Sequence, residues 1–242
     1  MVAFLIVWWA LSAWTHNEVL LPSPLAVIRA LLELAQDMEL FEHAGISLAR
    51  MLLSLGLAAL LAIPLGLAMG LSRRFDALVD PVVELMRPIS GIAWIPLALF
   101  IFGVGNTLPV FIMTYAAFFP IVLGTVAGVR GVDHRLIDAA RTMGVPAGTI
   151  VSRVVVPAAL PSLLVAVRLG VASSWTAVVA AELIGAPSGV GYAVEWYREL
   201  LMTPQVMAFI ASIGVLGYVS DRTLRWLAQR FTPWAFAVGE RA

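Results

Sequence analysis

The feature that most constrains this chain is a run of 21 residues, 51–71, that contains no charged side chain. A membrane-spanning helix needs about 20 apolar residues to cross a hydrocarbon core about 30 Å thick, so this run is long enough to span a bilayer. A second uncharged run covers residues 108–129. Across the whole chain 61% of the residues are apolar and 12% are charged, whereas soluble domains have roughly 45–50% and about 25%. The sequence therefore excludes a water-soluble globule and predicts a membrane protein.

Further apolar stretches predict an all-α, polytopic protein with about six transmembrane helices. The first stretch is short for a span, and we interpret it as a first transmembrane helix. The third is weaker because Glu84 and Arg87 lie in its first turns and because Pro88 and Pro96 interrupt it. Since proline removes a backbone hydrogen bond, we expect a kink at Pro64 and broken spans at Pro96 and Pro120. The predicted spans are residues 1–14, 51–71, 82–102, 108–129, 158–184 and 205–227.

The distribution of arginine orients these spans, because all 15 basic residues are arginine and none is lysine. One side of the membrane holds eleven of them if it contains the loop after residue 71, the segment 130–156 and the C-terminal tail. The opposite side holds two, Arg29 and Arg198. Cytoplasmic loops are enriched in positive residues, so we predict that both termini are cytoplasmic. The eleven are Arg73, Arg74, Arg87, Arg130, Arg135, Arg141, Arg153, Arg222, Arg225, Arg230 and Arg241.

The absence of lysine and cysteine excludes several functions. A Walker A loop requires lysine on the nucleotide phosphates, and Schiff-base chemistry requires a lysine amine, so any use of ATP must come from a partner protein. Without cysteine the chain forms neither disulfides nor thiolate metal sites. A membrane-embedded enzyme would need clustered His, Asp, Glu or Cys side chains at the membrane surface, and the sequence has no such cluster. His16, His43 and His134 stand singly and fit surface positions better than metal sites.

Residues 22–43 form a predicted amphipathic segment between the first two spans. Ser23 can cap a helix, and Val27, Leu31 and Leu34 follow at the spacing of one helix face. The arginine distribution places this segment on the periplasmic side. We therefore expect a surface helix there rather than another span.

The longest predicted cytoplasmic loop, residues 132–161, carries the functional pattern. Its first half predicts a short amphipathic helix over residues 136–143, and Gly144 is placed to end that helix in a left-handed turn. A second helical stretch is predicted to continue to Pro157. A helix held crosswise at the membrane surface, with small residues that allow close approach, suits docking into a groove on another protein. The apolar residues of the first helix are Leu136, Ile137, Ala140 and Met143.

This loop contains a signature with fixed spacing. The letters DAA begin at Asp138, Gly144 follows after three further residues, and a V-x-V-P quartet that ends at Pro157 follows after nine more. The pattern resembles the EAA-x3-G-x9-I-x-L-P signature of binding-protein-dependent ABC importer permeases, with Asp for Glu and two valines as mild departures. In that family the loop forms a coupling helix that fits a cleft in the ATPase subunit. The resemblance implies that the coupling residues of segment 130–157 are Asp138, Ala139, Ala140, Arg141, Met143, Gly144 and Pro157.

Other stretches are similar to the nitrate, taurine and alkanesulfonate branch of that family, and the resemblance covers nearly the whole chain from Leu21 onward. The sequence departs at Ser90 and Gly91, where many relatives have a proline before Ala-Trp, and at Asn106, where an acidic residue is common. Both departures lie near the predicted outer end of the path. The similar stretches are residues 46–74, 80–89, 93–106, 118–133, 175–192 and 224–234.

The resemblance implies the type I ABC importer permease fold (MetI-like), with residues 1–242 as a single multi-pass permease domain in a bacterial inner membrane. Two copies of the chain would form the path, two cytoplasmic ATPase subunits would hold ATP and Mg, and a periplasmic or lipid-anchored protein would deliver the solute. The chain itself would have no catalytic residue, cofactor, metal or nucleic-acid partner. The implied solute is a small anion such as a sulfonate, taurine or nitrate, and the alternative is a neutral heterocycle or vitamin precursor. A self-contained channel would leave the signature at Asp138 unexplained.

Polar and aromatic residues within the spans are candidates for lining the path. A charge in a span usually faces a bundle interior or a pathway, so Arg168 either attracts an anionic solute or, as we favour, pairs with a carboxylate or helix carbonyls. Arg50, near the outer end of its span, is expected to extend its charge to the interface. Ordinary helix packing is the alternative for every candidate. The candidates are Ser90, Trp94, Tyr115, Arg168, Trp175 and Thr176.

Two pairs of glycines occur at four-residue spacing within spans, beginning at Gly66 and at Gly124. Small residues at this spacing allow close helix approach in membranes. We expect them to pack helices within one subunit rather than between two copies.

Overall fold

The computed structural model describes residues 2–15 and 17–236, and all regular secondary structure in this part of the chain is helical. The all-α prediction is therefore confirmed. A 3-10 turn, Gly91–Trp94, precedes α5, and a π-helical turn, Val151–Val155, joins α8 to α9. The α-helices are α1 (Val2–Thr15), α2 (Pro24–Gln36), α3 (Glu39–Leu71), α4 (Arg73–Met86), α5 (Ile95–Phe102), α6 (Thr107–Arg130), α7 (His134–Thr142), α8 (Ala147–Ile150), α9 (Val156–Gly185), α10 (Val190–Glu199), α11 (Thr203–Phe231) and α12 (Pro233–Phe236).

Four helical segments among the described residues are long and apolar enough to cross a membrane: α3, α6, the continuous segment Ala147–Gly185, and α11. α4 and the segment Gly91–Phe102 form a further candidate, a pair bent by 81°. α1 coincides with the first predicted span and has 14 residues. The described residues thus supply four or five spanning elements and one short apolar helix at the positions of the six predicted spans.

Of the prolines predicted to interrupt spans, Pro88 is the one at which a helix ends. α3 runs through Pro64 and α6 runs through Pro120, so the prediction that Pro120 breaks its span is wrong. Pro96 lies in the first turn of α5, where its missing N–H costs no helical hydrogen bond. α4 instead ends at Met86, because Pro88 cannot extend the backbone hydrogen-bond ladder.

Two spans are longer than predicted. α3 begins at Glu39 rather than at residue 51. The segment Ala147–Gly185 includes both the second helical stretch of the predicted loop and the span predicted at 158–184. The π-helical turn Val151–Val155 joins them without interruption, so the loop and the membrane segment form one helix.

α4 also begins earlier than the predicted span at 82–102. Ser72 caps its N-terminus, with the hydroxyl oxygen accepting from the N–H of Phe75 at 3.3 Å. Val83 is buried on one face of α4, whereas Glu84 on another face is exposed. This helix is amphipathic along its whole length and ends at the 81° bend.

The chain divides into two compact units, of which the first contains the residues up to Leu53, Trp94–Ile112 and Trp175–Tyr218. Its core is formed where side chains of α2, α10 and α11 pack together. The buried members of this core are Val27, Ala30, Leu34, Val190, Ala193, Val194, Ala208 and Phe209.

Within this unit α2 is the predicted amphipathic helix. The hydroxyl oxygen of Ser23 accepts from the N–H of Ala26 at 3.1 Å, as expected for the predicted N-cap. Val27 and Leu34 are buried and Leu31 packs against the same core. The predicted apolar face of residues 25–35 is therefore confirmed.

The second unit contains Ser54–Ala93, Met113–Ser174 and the described residues from Val219 onward. It has two cores. One lies among α3, α4 and α6, and the other joins the end of α6 to α7, α8 and α9. The first includes Ala58, Ala62, Met69, Val83, Ala117, Phe119, Ile121, Val122 and Val126, and the second includes Val129, Val132, Ala140, Ile150, Val155, Ala159 and Leu163.

The paired glycines allow close helix packing inside this second unit. A Cβ at Gly66 would lie 2.7 Å from that of Thr125, so α3 and α6 meet there with no room for a side chain. A Cβ at Gly124 would likewise overlap that of Ala166 on α9. The prediction that these glycines serve packing within one subunit is confirmed.

Candidate functional site

α7 is the short helix that the sequence predicts. Asp133 caps its N-terminus by accepting from the N–H of Arg135 at 2.9 Å. Gly144 has a φ of 74°, and its N–H donates to the carbonyl of Arg141 at 2.9 Å. Only glycine adopts this left-handed conformation without a steric penalty, so the predicted end of the helix is confirmed.

The apolar residues of α7 divide between two faces. Ile137 and Ala140 pack into the core that α7 shares with α8 and α9, and Ala140 is only 5% exposed. Leu136 and Met143 instead point away from that core and are 52% and 74% exposed, with Ala139 also exposed beside them. Of the residues that the resemblance implies for coupling, Ala140 is therefore covered by its own chain, whereas Met143 is accessible to a partner.

The charged residues of α7 lie at its surface. Asp138 and Arg141 form an ion pair at 3.5 Å, and both side chains are about two-thirds exposed or more. Pro157, the last residue of the signature, lies half-buried in the first turn of α9. The signature therefore combines an exposed helix face with residues that hold that helix in place.

A basic cavity of about 870 Å³ lies beside α7 in the second unit. Its charged lining includes Arg73, Arg130, Arg141 and Asp76, and His134 lies beside them. Asp76 pairs with Arg130 at 2.5 Å through Oδ2, while its buried Oδ1 has no hydrogen-bond partner in the structure. α7 is thus bordered by an apolar core on one side and a positively charged cavity on another.

Arg50 takes part in a buried polar network in the first unit. Its Nη1 lies 2.7 Å from Oε1 of Glu182, and the two side chains are 5% and 0% exposed. Ser47 also donates to Glu182 at 2.7 Å. Arg50 Nε donates to Oδ1 of Asn106 at 3.1 Å. The prediction that Arg50 extends to the interface is wrong, because a carboxylate within the chain compensates its buried charge.

The same network holds the loop between α9 and α10. Arg50 donates to the carbonyl of Ser188 at 2.6 Å, and the N–H of Gly189 donates to Nδ1 of His43 at 3.0 Å. The N–H of Gly191 donates to Glu182 at 2.9 Å. Gly189 has a φ of 106°, and a Cβ there would lie 2.5 Å from the carboxyl carbon of Glu182. The loop is therefore fixed on one side by α3 and on the other by α9.

Two side chains near this loop have shifted pKa values. Burial, followed by its hydrogen bond to Glu39, raises the pKa of Tyr197 to about 12, so this hydroxyl stays protonated and donates to Glu39 at 2.7 Å. The hydrogen bond from Arg198 lowers the pKa of Glu195. Tyr197 thus connects α10 to the first residue of α3.

The histidines do not form a metal site in the described part of the chain. There is no group of three or more potential His, Cys, Asp or Glu ligands in residues 2–15 and 17–236. His134 is exposed, whereas His43 is partly buried and accepts the Gly189 hydrogen bond, so its predicted surface position is wrong. His16 lies outside the described residues.

Arg168 has a carboxylate partner in its own chain. Its Nε and Nη2 donate to Oδ1 of Asp221 at 2.9 and 2.7 Å, and Arg225 reaches the other oxygen of Asp221 at 3.4 Å. A cavity of about 720 Å³ lies beside the Arg168 and Arg225 side chains. The carboxylate that we favour as its partner is thus Asp221, which links α9 to α11.

Of the remaining path candidates, Ser90 and Tyr115 come together in the second unit. Both line a cavity of about 360 Å³, and Arg87 lines it as well. Trp94, Trp175 and Thr176 belong to the first unit. Trp175 is buried and Trp94 partly buried, and Thr176 is exposed.

Arg87 lines this cavity but is not among the path candidates that the sequence predicts. Counting by position assigns it to a cytoplasmic loop, yet it follows the last residue of α4 and faces the bend. The sequence does contain one indication of this position, because Arg87 lies directly before Pro88 within the span predicted at residues 82–102. A charge next to a helix break within a span indicates a functional position.

Comparison with known proteins agrees with this architecture. Residues 62–233 match the family described as binding-protein-dependent transport system inner membrane component. The chain is 36% identical to the taurine transport system permease protein TauC of Escherichia coli K12, over 97% of this chain and 87% of that protein. It is 34% identical to the aliphatic sulfonates transport permease protein SsuC of Bacillus subtilis, over 90% and 79% of the two chains.

The fold is that of a solved ABC transporter. A chain of the inward-facing methionine transporter MetNI superimposes with a TM-score of 0.61 at 21% identity, covering 74% of this chain and 92% of that one. In the family matched by residues 62–233, ATP is hydrolysed by a subunit separate from the permease. The chain belongs to the family of binding-protein-dependent transport system inner membrane components, the membrane permeases of ABC importers.

Proposed function

We propose that this permease imports a small anionic solute of the sulfonate class. The observation that carries the proposal is the similarity to permeases of taurine and aliphatic sulfonate transport over most of the chain. Taurine and aliphatic sulfonates share a sulfonate group that is charged at every physiological pH. A neutral heterocycle or vitamin precursor remains the alternative solute, and no contact in the structure favours it.

The coupling of transport to ATP hydrolysis is assigned to α7. Leu136, Ala139 and Met143 form an exposed, largely apolar patch, which we call the α7 patch. Two cytoplasmic ATPase subunits, each holding ATP and Mg, would seat this patch in a groove. Asp138 and Arg141 would border the contact.

The remaining residues of the signature position the α7 patch from within the chain. Ala140 packs α7 onto α8 and α9, and Gly144 ends the helix. Pro157 lies where the loop segment continues into the spanning helix. The segment 130–157 therefore acts as one coupling element.

The assembly that we propose contains two copies of this chain, with residues 1–242 of each acting as one permease domain in a bacterial inner membrane. The arginine distribution supports an orientation with both termini and residues 130–157 in the cytoplasm. The amphipathic segment 22–43 then lies on the periplasmic side. A periplasmic or lipid-anchored binding protein would deliver the solute there.

The binding protein tests the solute class directly, because it selects what reaches the permease. The complex is purified with its binding protein from a host grown on mixed sulfur sources, and the bound small molecule is identified by mass spectrometry. We expect a sulfonate. A neutral heterocycle bound at one molecule per binding protein would contradict the proposal.

A further inference from the structure

The cavity at the bend after α4 is the feature from which a solute contact can be inferred. It has a volume of about 360 Å³ and lies entirely within the second unit. Pockets for small molecules begin at roughly 300 Å³, so this cavity is large enough for a small solute. Its lining includes Arg87, Ser90, Gly91, Tyr115, Phe119 and Ser173.

The cavity lies along the length of α6, a helix long and apolar enough to cross a membrane, and not at the end of that helix. The hydroxyl of Tyr115 donates to the carbonyl of Met86 at 2.8 Å, which places the end of α4 level with Tyr115 on α6. With a rise of about 1.5 Å per residue, Tyr115 is about 12 Å from the start of α6 at Thr107 and about 22 Å from its end at Arg130. Arg87 follows Met86 directly, so its backbone lies at this depth.

The charge of Arg87 is uncompensated among the described residues. No carboxylate lies within ion-pair distance of its guanidinium in residues 2–15 and 17–236, although Glu84 lies one turn earlier on α4. Arg50 and Arg168, by contrast, each pair with a carboxylate at 2.7 Å. A charge at membrane depth is costly and is found facing water-filled cavities, partners or ligands. The Arg87 side chain is exposed in the described chain, so it is accessible to water, a partner or a ligand in the assembled transporter.

The groups around Arg87 suit an anion. A guanidinium presents a planar set of N–H donors that matches two oxygens of a sulfonate or carboxylate. Ser90 adds a hydroxyl on the same cavity wall. The Tyr115 hydroxyl is engaged with Met86 and therefore holds the wall in shape. Phe119 and Pro120 provide apolar lining, which suits the carbon-containing part of an organic solute.

We propose that Arg87 is the contact for the anionic group of the solute within the translocation path, with Ser90 as a second contact and Tyr115 as a positioning residue. This inference rests on the proposed import of a small anion. It assigns to Arg87 the role that the sequence pattern left open for Arg168, whose charge Asp221 already neutralises.

The test uses the complete transporter in proteoliposomes, with the ATPase subunits, the binding protein and radiolabelled taurine as the solute. Losing a charge-assisted contact should lower taurine uptake by Arg87→Met by about 10- to 100-fold. ATP hydrolysis stimulated by the loaded binding protein should remain, and Arg87→Lys should retain most of the uptake. The matched control is Arg74→Met, which removes an exposed arginine of α4 that does not line the cavity.

Chemical modification tests whether the positive charge at position 87 is what uptake requires. The chain has no native cysteine, so a thiol reagent modifies only an introduced one. Arg87→Cys should lose uptake as Arg87→Met does. Treatment with aminoethyl methanethiosulfonate, which attaches a cation, should restore it, and the neutral methyl methanethiosulfonate should not. Failure of the cationic reagent to restore uptake would overturn the inference.

Three further outcomes would overturn it in distinguishable ways. Taurine uptake by Arg87→Met at the wild-type level would exclude Arg87 as a solute contact and leave anion import intact. A fall in melting temperature and ATP hydrolysis together with uptake would show that Arg87 has a structural role instead. If the wild-type complex imports a neutral heterocycle and no anion, the proposed function fails and the inference fails with it.

Discussion

Arginines within the helices differ in whether the chain supplies a carboxylate for them. Arg50 pairs with Glu182, and Arg168 pairs with Asp221, both at 2.7 Å. The first pair is nearly inaccessible to solvent and the second is partly exposed, so we expect the first to affect stability more. Arg87 lacks such a partner in the described chain and faces a cavity. Among these three arginines, pairing thus separates Arg50 and Arg168 from Arg87, the one assigned to the solute.

Breaking the buried pair should destabilise the first unit strongly. Glu182→Gln leaves the Arg50 charge buried without its carboxylate, which should lower the free energy of unfolding by about 3–5 kcal/mol. Thermal melting of the detergent-solubilised complex measures this. Glu33→Gln, on the exposed side of α2, is the control. Replacing both partners by apolar residues, with Arg50→Met and Glu182→Leu together, should cost less than Glu182→Gln alone, and the reverse order would contradict this account.

Arg168→Met should have a smaller effect, because the Arg168–Asp221 pair is partly exposed. We expect a loss of about 1 kcal/mol or less, together with an equal reduction in transport of every solute. Arg222→Met removes a neighbouring exposed charge and serves as the control. Melting at the wild-type temperature with a selective loss of anion uptake would show instead that Arg168 lines the path.

At the scale of elements, α7 connects coupling to the fold through two distinct faces. Its inner face holds Ile137 and Ala140 in the core, and its outer face presents the α7 patch. A substitution on the inner face should affect stability, and one on the outer face should affect only the partner contact. The two effects can therefore be measured separately.

Met143→Glu should leave the permease folded, because Met143 is 74% exposed, but it should place a charge in the ATPase contact. Stimulated ATP hydrolysis should fall by about tenfold or more, as expected for a central interface residue. His134→Glu adds a negative charge to the opposite exposed side of α7 and should have little effect. Ala140→Glu should instead lower the melting temperature of the permease. Normal hydrolysis by Met143→Glu in the reconstituted complex would rule out the α7 patch as the coupling contact.

The sequence predicts best those helices whose start and end are determined by residues within the helix or next to it. α7 is specified by residues within it and beside it, including Asp133 at its start and Gly144 at its end. The π-helical turn that joins the loop to α9 has no such local signature. The effect of a proline also depends on context, since α3 continues through Pro64, whereas α4 ends just before Pro88.

The candidate site is predicted less completely because its contacts are distant in sequence. Glu182 lies 132 residues from Arg50, so no periodicity in either helix reveals the pair. Tyr115 was identifiable as a polar aromatic residue within a span, but its hydrogen bond to Met86 depends on how α4 and α6 pack. Arg87 was misplaced because the bend at Pro88, and not its sequence position, brings it to the cavity.

At the scale of the whole molecule, the account requires one orientation in the membrane. α7 must face the ATPase subunits in the cytoplasm, and α10 must then lie on the periplasmic side. α7 and α10 both have exposed residues. A single cysteine on either helix can therefore report its side of the membrane without disturbing a buried contact.

Glu199→Cys on α10 should react with an impermeant thiol reagent added to intact spheroplasts, and Thr142→Cys on α7 should react only after permeabilisation. Both positions are exposed, so a difference in labelling reports the side of the membrane and not burial. The parent chain lacks cysteine and serves as the background control. The opposite labelling pattern would reverse the proposed topology.

The measurement that tests the central claim most directly is solute uptake by the wild-type transporter in proteoliposomes. The permease, the ATPase subunits and the binding protein are reconstituted, and radiolabelled taurine is supplied on the side of the binding protein. The account predicts accumulation that requires ATP on the opposite side and stops when the ATPase is inactivated. Taurine entry that proceeds equally without ATP, or ATP-driven accumulation of a neutral heterocycle with no entry of taurine, would contradict it.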